Sequence, residues 1–273
     1  MTQPFVDAHL HVVDPRFPVH ANQGFTPGAY PAGQYLAEAG PLLAGAGMRL
    51  TGAVVVAGSF QGTGQDHLTV AVEDLAAVLG AGRVAAVAQL PPDTGDGEIL
   101  RLDGLGVRAL RANLVRREAA DTASGGLPGL LALAGRARAL AGWHLELYVR
   151  AQELPPLLRD LPAGLDPRAL VVDHLGVTAA GLDALIGLAG EGARVKATGF
   201  SRTDLDVPAA LRAVHRRSPG ALVAGTDLPG TRAPRRFGPA DLAVLTSTFD
   251  GCDLRRVLSR NAEALYRLAP PTA

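Results

Sequence analysis

Short apolar segments recur eight times along the chain, each separated from the next by a helical or loop pattern. They are Phe5–His9, Gly52–Ala57, Val84–Leu90, Val107–Leu114, His144–Val149, Leu170–His174, Arg194–Gly199 and Leu222–Gly225. Each is brief, often β-branched and not strictly alternating, as expected of strands buried on both faces of a parallel sheet. Amphipathic stretches lie between them. Asp66–Leu79 and Leu127–Leu140 are the clearest, Gly181–Ala189, Pro208–Arg217 and Pro239–Thr248 are shorter, and a last helix runs from about Leu254 to Leu268. Gly and Pro punctuate nearly every junction. Eight strands alternating with helices predict an α/β chain forming a (β/α)8 TIM barrel, with an open doubly wound sheet as the alternative. The 273 residues fit one such barrel, which typically needs about 250. No linker interrupts the pattern, so a single domain over 1–273 is expected. The longest strand-free segment, Val12–Pro41, reads as a loop after the first strand, a place that is usually functional or mobile.

Formal net charge is zero, from 26 basic and 26 acidic residues, which excludes the basic excess of a nucleic-acid binder. Cys252 is the only cysteine, so neither an intrachain disulfide nor a Cys-rich zinc site can form. Met1–Val6 lacks the basic and apolar regions of a signal peptide. Ala53–Ala57 and its like are too short to span a bilayer. These features predict a cytoplasmic protein with a small-molecule partner and no membrane contact. Oligomeric state is not legible.

Polar residues gather at the C-terminal ends of these strands, where barrel active sites lie. In Asp7-Ala8-His9-Leu10-His11 the two histidines are two residues apart and share a strand face. Two imidazoles so placed can chelate a metal or bind an anionic oxygen. The sixth strand ends in Asp173-His174, and the eighth in Gly225-Thr226-Asp227. A helix N-cap would also explain Asp227, but Pro229 and Gly230 follow at once and no helical pattern begins before Pro239. Arg111 and Asn113 share a face of the fourth strand.

Together with Gly225-Thr226-Asp227-Leu228-Pro229 and the terminal Asn261-Ala262-Glu263-Ala264-Leu265-Tyr266, these motifs resemble the amidohydrolase superfamily over essentially the whole chain. Finer features are similar to its 2-pyrone-4,6-dicarboxylate lactonase and sugar lactonase group. They are His11–Pro18, Phe25-Thr26-Pro27, Ser59–Thr63, Gly106–Leu114 and Gly142-Trp143-His144. The resemblance implies a hydrolase that opens a carboxylated lactone without a metal. It also implies that Arg111, Arg117, Tyr148 and Arg202 bind substrate carboxylates, with Ser59 and Asn113 completing the pocket. Guanidinium forks suit carboxylates because two N–H donors match two oxygens.

The chain departs from the superfamily pattern at two places. Metal-dependent members place a His at the top of the fifth strand, where this chain has Tyr148. His144 lies four residues back, roughly 13 Å lower at ~3.3 Å per residue, so a core or barrel-floor role is expected for it. After Asp227, where many relatives carry an aromatic and a His, the chain reads Leu228-Pro229-Gly230-Thr231-Arg232, which removes a pocket group.

The expected mechanism uses Asp227 as general base on water, with His9, His11 and His174 donating hydrogen bonds to the lactone carbonyl. No cofactor is expected. One alternative is a single zinc on His9, His11 and Asp227 serving a hydrolase or decarboxylase, with His174 as base. Another is a non-catalytic ligand-binding barrel. Lys196, the only lysine, reads as a strand residue reaching out between barrel and helices, with Schiff-base chemistry as its sharper alternative. Glu146 is expected to face into the barrel, where it needs a buried partner that the sequence does not identify.

Overall fold

In a computed structural model, which describes residues 2–115 and 126–270, eight parallel strands form one sheet in sequential order. They are β1 (Gln3–Leu10), β2 (Met48–Val56), β3 (Val84–Ala88), β4 (Val107–Asn113), β5 (His144–Tyr148), β6 (Leu170–Val172), β7 (Arg194–Ala197) and β8 (Leu222–Ala224). The end of β8 returns beside β1. There the Asp227 N–H donates to His9 O at 2.7 Å and the His11 N–H to Leu228 O at 2.8 Å. Helices fill the connections, so the architecture is the (β/α)8 barrel that the alternation predicts.

Two apolar layers follow from the pleat, because successive side chains face opposite sides of a strand. Val54, Val56, Val87, Ala109 and Val223 pack inside the barrel with Val6, Ala8 and the closing residues Ala262 and Tyr266. Leu10, Val55, Leu110, Leu145, Leu147, Val195 and Leu222 belong to the larger outer core with the helices. This buried apolar surface is the dominant favourable contribution to folding.

The pairing of β1 with β2 shifts between Asp7 and Leu10. The shift lets Ala8 and His9 both face inward, while Asp7 faces outward to accept from Tyr35 Oη at 2.9 Å. Gly225 allows the close approach of β8: a Cβ there would lie 2.7 Å from the His9 backbone nitrogen.

Some elements differ from the sequence expectation. Ala32–Gly45 is a helix that begins within the Val12–Pro41 segment read as a loop and continues beyond it, with Pro41 in its interior. Asp96–Gly104 is a further helix. The last helix runs from Gly251 to Leu265 and passes through one π turn at Arg256–Arg260. Strand β6 stops at Val172, because Asp173–Gly176 forms a 3-10 turn in which His174 and Leu175 have left-handed backbone, φ 51° and 53°. No helix among the described residues is long and apolar enough to cross a membrane.

Candidate active site

The strand tips bring His9, His11, His174 and Asp227 close together, and His11, His174 and Asp227 line a pocket with His9 buried beside them. His9 and His11 ring centroids are 5.1 Å apart, and those of His9 and His174 4.9 Å apart. Asp227 Oδ1 lies 3.7 Å from His9 Nε2 and 3.6 Å from His11 Nε2. His174 and Asp227 both adopt left-handed backbone, the latter at φ 58°. That conformation costs a non-glycine residue roughly 1–2 kcal/mol and is concentrated at functional sites. Gly199 makes room for His174, since a Cβ there would lie 2.6 Å from its Nδ1.

Above these residues opens a pocket toward the barrel mouth. Ser59, Arg111, Asn113, Tyr148 and Arg202, each expected to contact a ligand, line it. Register explains part of this convergence: Asn113 pairs with Tyr148 across β4 and β5, and Arg111 with Glu146 one step below. Arg117 lies outside the described residues. Arg232, in the segment where the sequence appeared to lose a pocket group, also lines the mouth and stacks its guanidinium 4.7 Å from the centre of the Phe25 ring. The short loop thus supplies a guanidinium to the pocket.

Both buried carboxylates of the site are held by arginine. Arg202 donates to Asp227 Oδ2 from Nε at 2.8 Å, and its second nitrogen lies 2.7 Å from the same oxygen. Burial opposes ionisation of Asp227, but His174 and the Arg202 guanidinium outweigh it and hold the carboxyl well below the usual range. Arg111 Nε donates to Asp173 Oδ2 at 2.9 Å. Burial likewise opposes ionisation of Asp173, and Lys196 with Arg111 overcomes it. Arg111 therefore carries a protein partner that sequence reasoning did not assign.

Lys196 corrects the outward placement expected for it. It is fully buried inside the barrel, because Val195 and Ala197 take the outward positions of β7. Its Nζ donates to Glu146 Oε2 at 2.5 Å, which identifies the missing partner of Glu146. Glu146 Oε1 accepts from Tyr266 Oη at 2.6 Å and lies 3.2 Å from His144 Nε2. His144 thus sits at the barrel floor, as its distance from the strand tip predicts. Sequence reasoning also missed Thr198, hydrogen-bonded to His174 Nδ1 at 2.8 Å. Alternation held the signal for both: Lys196 and Thr198 share the inward face of strand seven.

The imidazoles of His9, His144 and His174 are all held below their ordinary values, chiefly by burial, His174 at about 4. An unfolded chain takes up these protons near pH 6.5, whereas the folded chain resists until lower pH. Their contribution to stability is complete above about pH 6.5 and is lost as pH falls toward about 4. His174→Gln is expected to make the fall of the urea midpoint across that window shallower. An unchanged slope would remove His174 from this explanation.

Two sets of side chains have the spacing of metal ligands: His9, His11 and Asp227, and His9, Asp173 and His174. Within each set one ligand atom per residue lies within 4.8 Å of the others. His9 Nε2 and Asp227 Oδ1 are buried with no hydrogen-bond partner in the protein. The chemistry around them is less suited to a cation. Arg202 and Arg111 already neutralise the two carboxylates, and β5 offers Tyr148 instead of an imidazole. A divalent ion would sit beside these guanidinium groups, whose like charge opposes it. The donor atoms have the spacing to hold an ion, and the flanking guanidinium groups oppose one.

The chain is similar to several known proteins. It is 31% identical over 173 residues to a Comamonas testosteroni protein named 2-pyrone-4,6-dicarboxylate hydrolase, a match covering 63% of this chain. It spans about half the length of that relative (51%). A Pseudomonas putida structure carrying the name 2-pyrone-4,6-dicarboxylic acid hydrolase superposes with TM-score 0.75 at 25% identity, covering 98% of each chain. An Acinetobacter baumannii structure of the same name, with citric acid bound, gives 0.76 at 20% identity over 97% of this chain and 99% of the other. An amidohydrolase of Burkholderia multivorans with bound zinc gives 0.68 at 17% identity over 98% and 100%. The amidohydrolase family profile matches residues 6–268, and the chain belongs to that family.

Proposed function

We propose that the chain is a hydrolase that opens a lactone bearing one or more carboxylates, with water activated by Asp227 and without a metal. The observation that carries this reading is the arrangement of Asp227. One of its oxygens faces two imidazoles in the pocket, and the other is held by a guanidinium that a substrate carboxylate can claim. The Comamonas testosteroni and Pseudomonas putida proteins, named for a dicarboxylated pyrone, support the substrate class.

In this mechanism Arg111 and Arg202 anchor the carboxylate, assisted by Ser59, Asn113, Tyr148 and Arg117. The substrate competes with Asp227 for Arg202. Drawing that guanidinium toward the ligand relieves Asp227 of its bonded positive partner and raises its basicity where water must be deprotonated. Asp227 Oδ1 takes a proton from water as the oxygen attacks the lactone carbonyl. The imidazoles of His9, His11 and His174 surround the carbonyl oxygen as it gains negative charge, and those with an N–H aimed at it stabilise that charge. Preorganised donors of this kind are worth about 3–4 kcal/mol each. Collapse of the intermediate breaks the ring C–O bond, and Asp227 returns its proton to the leaving oxygen. The product is a hydroxy acid, or its keto form where the ring oxygen was enolic.

A panel of lactones with and without ring carboxylates tests the proposal. Turnover is expected only for carboxylated members. Arg111→Lys is expected to raise KM about 10–100-fold with a smaller change in kcat, because it loses the fork that matches a carboxylate. Equal turnover of uncharged lactones would contradict the substrate class.

A further inference from the structure

We propose that Lys196 fixes the tautomer of His9, making His9 Nε2 an N–H donor toward Asp227 and barring it from ligating a metal. The inference deepens the function proposed above, but it rests on the protein's own hydrogen bonds. An ammonium has three N–H donors and no lone pair. Lys196 Nζ lies 2.5 Å from Glu146 Oε2, 3.1 Å from His9 Nδ1 and 3.6 Å from Asp173 Oδ1, with none of these side chains exposed. Facing an ammonium, His9 Nδ1 must present its lone pair. The proton of the neutral ring is then on Nε2, the atom aimed at Asp227 Oδ1 across 3.7 Å.

His11 is fixed in the opposite sense. Its Nδ1 lies 2.7 Å from Val56 O, and a carbonyl only accepts, so Nδ1 carries a proton. In the neutral ring His11 Nε2 is then a lone pair. The two histidines, alike in sequence, thus turn different atoms toward Asp227: an N–H from His9 and, in its neutral form, an acceptor from His11. A donor and an acceptor side by side suit a polarised carbonyl and an attacking water. A metal ion needs lone pairs from both rings.

Asp173 supplies the alternative. Its Oδ1 is 3.5 Å from His9 Nδ1 and has no hydrogen-bond partner. Without the ammonium, His9 Nδ1–H would donate to Asp173, and Nε2 would become a lone pair. His9, His11 and Asp227 would then offer three ligand atoms. Lys196 acts here as a positioning residue, since it reaches the site only through His9.

The test is made on the intact protein with two readouts that require no substrate. The first is the imidazole 15N spectrum of labelled protein, with the His9 signals assigned by their loss in His9→Gln. The second is direct zinc titration. Wild type is expected to show His9 protonated at Nε2, and Lys196→Met to move the proton to Nδ1. Zinc affinity is expected to rise roughly 10–100-fold in that variant, the usual reach of a second-layer partner. Lys196→Met leaves Glu146 without its ammonium, so Lys196→Met/Glu146→Gln provides a second background in which the same gain is expected. Nδ1 protonation of His9 in wild type overturns the proposal, as does equal zinc affinity in all three proteins. A wild-type protein inert toward every lactone but protonated at His9 Nε2 would refute the proposed function and support this inference.

Discussion

Asp227→Asn is expected to lower kcat by about 10²–10⁴-fold, the range that a positioned general base contributes. The substitution keeps the shape of the side chain, and Asn tolerates the left-handed backbone at this position. The amide oxygen can still accept from Arg202, and the backbone bond from residue 227 to His9 O is untouched. Circular dichroism should therefore stay near wild type, while the urea midpoint falls because a neutral amide replaces the carboxylate of a buried ion pair; turnover is compared under conditions where both proteins are folded. A folded Asp227→Asn protein with near wild-type kcat would remove Asp227 from the role of base.

Glu146→Ala is expected to cost stability more than any substitution at the pocket mouth, about 3–5 kcal/mol, because it strips one partner from a buried ion pair. Glu146 accepts from Lys196 and Tyr266 at the centre of the barrel, where all three side chains are fully buried. Its loss leaves an ammonium and a phenol to share Asp173 and His144. Burial opposes ionisation of Glu146, and Lys196 with His144 overcomes it to hold the carboxyl below its ordinary value. Chemical denaturation at neutral pH measures the effect. A midpoint within error of wild type would mean that the inner polar column contributes nothing to stability.

The barrel was legible because its strands are buried on both faces and therefore read as β-branched runs, from Gly52–Ala57 to Leu222–Gly225. Strand ends were less legible. Asp173 and His174 read as a continuation of β6, but they turn into a 3-10 segment whose left-handed residues no propensity announces. The helix Ala32–Gly45 was hidden by Gly33, Gly40 and Pro41, which mark a loop to any local reading, whereas burial of Tyr35, Ala39 and Leu43 decides its structure. The ring of His9, His11, His174 and Asp227 was visible because each falls at a strand tip.

The ion pairs beneath that ring were not visible, since pairing Lys196 with Glu146 or Arg111 with Asp173 requires the barrel to close. A clue was nonetheless present. Two opposite charges sat inside apolar strands, each lacking a partner, and inward parity would have put both in the barrel interior. Arg232 was the opposite case: its segment read as a loss to the pocket, and only the path of the chain brings its guanidinium to the mouth.

Turnover of a carboxylated lactone by protein stripped of metal, with zinc counted per chain in the same sample, most directly examines whether Asp227 works unaided. Undiminished kcat at substoichiometric zinc, unchanged by chelator, is expected. Activity that vanishes on stripping and returns in proportion to added zinc would contradict it.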